Sequence, residues 1–118
     1  RNLDSGCVDE SDFDASHAGW SAHQVWEEMM ALLPMPFTRV VTHGDFSLGN
    51  IFVEDGQVTG CIDVGLAGAA DPYQDLSILW HNLSEYGEDL GMHLFRAYGI
   101  AEPDWRKVRF HGCLDEFF

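Results

Sequence analysis

Two stretches decide the fold: Val41-Thr42-His43-Gly44-Asp45-Phe46-Ser47-Leu48-Gly49-Asn50 and Gly60-Cys61-Ile62-Asp63-Val64-Gly65. The β-branched run Arg39-Val40-Val41-Thr42 reads as a short strand that feeds directly into His43-Gly44-Asp45. Residues 50–54 and 57–64 read as two more strands. Asp55-Gly56 between them signals a type I′ hairpin, because both central residues of that turn need positive φ. A loop after a buried strand therefore presents a carboxylate, Asp45, and five residues later an amide oxygen, Asn50. The hairpin returns the chain and presents a second carboxylate, Asp63, with Gly65 close behind it.

Outward from this centre the pattern is helical. Ser21 and Gln24 have capping-box spacing, and Val25, Trp26, Met29, Met30, Leu32 and Leu33 follow as an apolar stripe ended by Pro34 and Pro36. After Asp71-Pro72, Leu76, Leu79, Trp80 and Leu83 form a second stripe, closed by Gly87. Leu90, Leu94, Phe95 and Tyr98 form a third, closed by Gly99. A last helix starts at Glu102-Pro103-Asp104, carries Trp105, Val108, Phe110 and Leu114, and runs into Asp115-Glu116-Phe117-Phe118. Trp26, Trp80, Phe95 and Trp105 read as core. Residues 1–20 are acidic and aperiodic, and read as a loop or as the remnant of an element whose partner is missing. The sum is an α+β arrangement, a small hairpin sheet framed by helices.

Composition narrows the class of partner. The 118 residues are 46% apolar, enough for one core and too few for two ordinary domains. Six Lys plus Arg against 20 Asp plus Glu give a net charge of −14. That balance excludes the basic footprint of a nucleic-acid binder and disfavours docking on anionic lipid, so neither nucleic acid nor a membrane is an expected partner. A polycationic small molecule or a metal ion suits it. Cys7, Cys61 and Cys113 are widely spaced with no Cys-x-x-Cys pair, which fits a reducing, cytoplasmic compartment and incidental thiols. No apolar run approaches the length of a membrane span. His17, His23, His81, His93 and His111 show no ligand spacing, so zinc is not expected.

The central motif does have a chemical logic. Asn50 and Asp63 offer hard oxygen atoms suited to Mg²⁺, and Asp45 is left to accept a proton from a substrate hydroxyl. This matches the phosphoryl-transfer template, in which a loop Asp orients the nucleophile while an Asn and a later Asp hold the metal. Four fixed residue types at fixed spacing arise by chance in roughly one chain in a thousand, and the second Asp lowers that further. His43 is expected to hold the loop by hydrogen bonding, Asp71 to act as a helix N-cap, and Asp75 to be structural.

These residues resemble the C-terminal lobe of the aminoglycoside 3′-phosphotransferases, the kanamycin kinases. The likeness runs through Val41 to Leu48, Gly60 to Gly65, Ala70-Asp71, Tyr73-Gln74-Asp75-Leu76, Tyr98-Gly99-Ile100 and the closing Leu114-Asp115-Glu116-Phe117-Phe118. The resemblance implies a protein-kinase-like C-terminal lobe over residues 1–118, with ATP as co-substrate and Mg²⁺ as cofactor. It implies Asp45 as the catalytic residue and Asn50 and Asp63 as the magnesium ligands. It implies that Asp9, Asp12, Glu85, Asp115, Glu116 and the terminal carboxylate of Phe118 contact the aminoglycoside, with Ser11 where some members carry another acid. A substrate with several ammonium groups fits the charge arithmetic. Alternatives are a kinase of another small alcohol and an inactive remnant that at most binds cations.

Two departures stand out. Leu66 occupies a position where these kinases commonly carry Arg, which removes a donor fork near the phosphates and implies weaker catalysis or altered substrate choice. The chain also lacks the Gly-rich loop and strand Lys of the nucleotide-covering lobe. It is therefore expected to expose apolar faces and not to turn over alone.

Overall fold

A computed structural model of the chain describes residues 8–13 and 17–117. Two compact units emerge, one from Arg1–Met35 with Trp105–Phe118 and the other from Pro36–Asp104.

In the first unit, a single 3₁₀ turn at Glu10–Asp12 lies within the stretch expected to be loop. Asp9 caps it by accepting from the Ser11 N–H. Helix α1, Ala22–Ala31, begins with the expected capping box: Ser21 Oγ accepts from Gln24 N–H, and Gln24 Oε1 accepts from Ser21 N–H. Glu10 Oε1 takes a further free donor, the Ala22 N–H at 2.9 Å. The last helix of the chain, Trp105–Asp115, also belongs to this unit and is numbered α4 below. Phe13, Ala22, Val25, Met29, Phe110 and Cys113 form the core between these pieces. Trp26 and Trp105 were expected there and are instead 38% and 47% exposed. Trp26 sits at the margin of the apolar stripe, where it meets the edge of the Phe117 ring.

In the second unit, β1 (Val40–Thr42) pairs antiparallel with β4 (Gly68–Ala70), a strand the periodicity did not announce because it is built of small residues. β2 (Ile51–Glu54) and β3 (Gln57–Cys61) form the hairpin, with a bulge between Phe52 and Val53. Asp55 (φ 49°) and Gly56 (φ 73°) make the turn as expected. Among the described residues there are thus two separate two-stranded sheets in place of one. β3 stops at Cys61, three residues short of the expected end, because Asp63 turns into the left-handed region at φ 63°. Apolar side chains are exposed on these strands, among them Val41, Val58 and Phe52.

Helices α2 (Tyr73–Ser84) and α3 (Glu88–Tyr98) pack together, with Tyr73, Leu76, Leu79 and Phe95 buried and the Tyr73 and Phe95 rings 5.9 Å apart. Their approach is close at Gly91, where a Cβ would lie 2.3 Å from Ser84 Oγ and 2.7 Å from Trp80. Gly99 ends α3 in the left-handed conformation, as expected. Gly87 does not close α2: it stands at the N-cap of α3, and α2 ends at Ser84 with Glu85 as its C-cap. Asp71 accepts from the Tyr73 N–H through Oδ1 and from the Thr38 N–H through Oδ2, so it caps the helix start and ties down the approach to β1. Among the described residues no helix is long and apolar enough to cross a membrane.

Candidate active site

The loop after β1 is held by its own residues. Ser47 N–H donates to the Asp45 carbonyl at 2.9 Å, and Asn50 N–H to the Ser47 carbonyl at 3.0 Å, which forms the 3₁₀ turn Leu48–Asn50. Asn50 Nδ2 donates back to the Asp45 carbonyl at 2.9 Å and to Asp45 Oδ2 at 3.3 Å. Asp45 and Asn50 are therefore in direct contact, a bond that the sequence pattern did not announce.

The hairpin is tied to this loop through one residue, Ile62. Its N–H donates to the Asn50 carbonyl at 2.9 Å. Its carbonyl accepts from His43 Nε2 at 2.8 Å. His43 Nδ1 accepts from the Asp45 N–H at 3.2 Å, which fixes Nε2–H as the donor tautomer. His43 thus holds the loop, as expected, and both its ring nitrogens are engaged. The residue after this clamp is Asp63. Gly44 stands at φ 95°, and a Cβ there would lie 2.3 Å from the Leu66 carbonyl oxygen. Only glycine lets the loop pass so close to the backbone that follows Asp63. The side chain of Leu66 is itself about half exposed.

Helix α2 forms the bed under this loop. Asp75 Oδ2 accepts from the His43 N–H at 2.7 Å and Oδ1 from the Gly44 N–H at 2.9 Å. Gln74 Nε2 donates to the Gly44 carbonyl at 3.2 Å. Asn82 Oδ1 accepts from the Leu48 N–H at 3.0 Å. Asp75 and Asn82 are seven residues apart, two turns on one face. Sequence reading took Asp75 as structural and passed over Gln74 and Asn82. Polar residues at heptad spacing beside an apolar stripe were the available signal.

Asn50 spends its amide hydrogens on Asp45, and its Oδ1 has no partner among the described residues. The exposed carboxylate of Asp63 likewise has none. These are two hard oxygen donors on adjoining segments, with no free imidazole beside them, a set that fits Mg²⁺. The partly buried Asp45 carboxylate receives one long hydrogen bond from Asn50 and keeps acceptor capacity.

The other expected contact residues lie as follows. Glu85 is the exposed C-cap of α2, one turn beyond the Asn82 contact, with Oε1 3.9 Å from His81 Nε2. Asp9, Asp12, Asp115 and Glu116 belong to the first unit. Asp9 Oδ1 accepts from both the hydroxyl (2.6 Å) and the N–H (2.9 Å) of Ser11. Those two bonds, the hydroxyl first, hold the exposed Asp9 carboxyl below the usual carboxylate range. Asp12 lies in the turn that Asp9 caps. Asp115 is the exposed last residue of α4, and Glu116 accepts from His17 Nδ1 at 3.1 Å. Phe118 lies outside the described residues, as does Cys7. Against expectation, His17 does meet possible metal ligands, Glu28 and Cys113, which the sequence places far from it.

A model of the phosphotransferase enzyme family matches residues 1–111. The chain belongs to the phosphotransferase enzyme family. Within it, the chain is 54% identical over 117 residues to an aminoglycoside 3′-phosphotransferase of Escherichia coli, which covers 99% of this chain and 43% of that relative. A Streptomyces fradiae aminoglycoside 3′-phosphotransferase is 34% identical over all of this chain and 47% of its own length. The phosphotransferase chain therefore spans less than half the length of the curated relatives it matches. Among solved structures, a type VIII aminoglycoside-3′-phosphotransferase superposes with a TM-score of 0.85 at 29% identity, covering 100% of this chain and 47% of that one. A Streptomyces rimosus aminoglycoside phosphotransferase in complex with ADP and streptomycin gives 0.82 at 26% identity, over 98% and 48%. The kinase-like α+β reading of this phosphotransferase stands.

Proposed function

We propose that this chain is the C-terminal part of an aminoglycoside 3′-phosphotransferase that transfers the γ-phosphate of ATP to the 3′-hydroxyl of kanamycin-type antibiotics. The observation that carries the reading is the Asp45–Asn50–Asp63 arrangement. Asn50 fixes Asp45 through its amide hydrogens, and Ile62 binds the Asp63 segment to the same loop.

In this reading Asp45 accepts the proton of the 3′-hydroxyl as the new O–P bond forms and the bond to the departing ADP oxygen breaks. Asn50 Oδ1 and Asp63 would hold Mg²⁺. When bound, the ion neutralises charge on the phosphate oxygens. His43, Asp75 and Asn82 keep the loop in place so that Asp45 need not be reoriented during the reaction. Asp9, Asp12, Glu85, Asp115, Glu116 and the Phe118 carboxylate are the groups proposed to receive the ammonium groups of the antibiotic. The reaction draws on ATP and so belongs in the cytoplasm.

The test is a chimera in which these 118 residues replace the matching segment of the E. coli relative. With Mg²⁺ and ATP it should convert kanamycin to a product one phosphoryl group heavier, located at the 3′ position by NMR. Asp45→Asn in the chimera should lower kcat by about 10²–10⁴-fold, and chelation of the metal should stop turnover. A folded chimera that leaves kanamycin unphosphorylated, or that is indifferent to Asp45→Asn, would refute the reading.

A further inference from the structure

The first unit contains a cluster, His17, Glu28 and Cys113, that the phosphotransferase reading touches only through the neighbouring Glu116. His17 and Cys113 are 96 residues apart in sequence, yet His17 Nε2 lies 3.7 Å from Cys113 Sγ and 3.3 Å from Glu28 Oε2. One ligand atom from each of His17, Glu28 and Cys113 lies within 4.8 Å of the others. We propose that His17, Glu28 and Cys113 form a Zn²⁺ site, with Glu116 as the carboxylate that orients the imidazole.

The spacing carries the proposal. Zn²⁺ binds nitrogen and oxygen at about 2.0–2.1 Å and thiolate sulfur at about 2.3 Å in a tetrahedron. Those bond lengths put neighbouring ligand atoms about 3.3–3.6 Å apart, close to the two separations from His17 Nε2. The ligand atoms of the three side chains converge to within 4.8 Å of one another, and three ligands leave the fourth position for water.

The surroundings orient each ligand. His17 Nδ1 meets Glu116 Oε1 at 3.1 Å, and a proton held there leaves the Nε2 lone pair for a metal. Glu28 Oε1 is held by the Arg109 guanidinium, which leaves Oε2 toward His17. The His17 ring is further fixed by Trp20, whose ring stands edge-on to it at 5.2 Å. Cys113 is completely buried and His17 nearly so, while the Glu28 side chain is 13% exposed and gives the ion its approach. A thiolate and a carboxylate together balance the charge of the ion. The mixed nitrogen, sulfur and oxygen set suits Zn²⁺ and not Mg²⁺, which separates this site from Asn50 and Asp63. Binding releases the thiol proton of Cys113 to solvent, and the ion takes the place between His17 Nε2 and Glu28 Oε2 that a hydrogen bond otherwise fills.

Co²⁺ reports on such a site directly. The metal-free 118-residue chain, titrated with Co²⁺, should take up one equivalent and show a thiolate-to-cobalt charge-transfer band in the near ultraviolet. Intense tetrahedral bands should appear in the visible, and added Zn²⁺ should abolish both. Cys113→Ser should lose the charge-transfer band, whereas Cys7→Ser and Cys61→Ser should keep it. Circular dichroism checks that each variant folds. Glu28→Gln, a change that preserves shape, should weaken Co²⁺ binding at least tenfold while the thiolate band persists at saturation. The absence of a band at one equivalent would overturn the proposal, as would its survival in Cys113→Ser or an unchanged affinity in Glu28→Gln. The cluster would then be an imidazole hydrogen-bonded between two carboxylates, with no metal role.

Discussion

Asp75, in the first turn of α2, holds Gly44 by accepting its N–H through Oδ1 while the other oxygen takes the N–H of His43. A charged acceptor on two successive backbone donors is a strong arrangement. It fixes the peptide that leads into Asp45, so the loop inherits the position of the helix.

Replacing Asp75 with Asn should expose this dependence. One of its two acceptors becomes an NH₂ group facing a backbone N–H, and the charge is lost. We expect Asp75→Asn to destabilise the chain by about 1–3 kcal/mol in urea unfolding. In the chimera kcat should fall by more than KM rises. Equal changes in both would mean that the bond does not position Asp45.

Gly44→Ala should be more damaging than its small volume suggests. The added methyl would sit against the Leu66 carbonyl at a backbone angle that alanine disfavours, a strain of about 1–3 kcal/mol before the clash is counted. Gly49→Ala, whose Cβ would find only Ser47 Oγ at 3.9 Å, is the control and should be near neutral. Equal urea midpoints for the two variants would contradict the close approach.

A similar pair separates packing from helix propensity. Gly91→Ala pushes a methyl into Ser84 and Trp80 and should cost about 1–3 kcal/mol. Gly112→Ala, in α4 with nothing within 4 Å of its Cβ, should stabilise by about 0.5–1 kcal/mol. Thermal melts of the two variants should move in opposite directions.

Asp9 offers a pH test. Its carboxyl is held below the usual range by the Ser11 hydroxyl and N–H. The associated stabilisation is present above the unfolded-state pKa and lost as pH falls through the folded-state value. Ser11→Ala removes the hydroxyl donor and should raise the Asp9 pKa toward its ordinary value, read by NMR of the side-chain carboxyl. An unchanged pKa would mean that the hydroxyl does not hold the carboxylate.

Much of this was legible in the residues. The Ser21 capping box, the Asp55-Gly56 turn and the Gly99 stop each rest on local chemistry, and each is present. The loop that holds Asp45 and Asn50 was readable for the same reason, although the bond between the two side chains was not. What else escaped the sequence depends on distant partners. β4 consists of Gly68, Ala69 and Ala70, which acquire strand character only by pairing with β1. Asn82 serves a loop 34 residues away, and His17 finds Cys113 only through the packing of α4. Trp26 and Trp105 were misplaced because a helical stripe has margins, and large rings can lie along them half exposed.

The bonds that Asp75 and Asn82 make to the loop cause chain length in α2 to matter as much as its composition. Asp75 and Asn82 are separated by two turns, about 10.5 Å of rise. They grip backbone groups at Gly44 and Leu48. One residue inserted between them would swing Asn82 about 100° around the axis, and no side-chain exchange could restore its reach. Natural variation between positions 75 and 82 should therefore take the form of substitutions, and insertions or deletions should gather instead in the Asp55-Gly56 turn, which is bonded to no distant residue among the described ones.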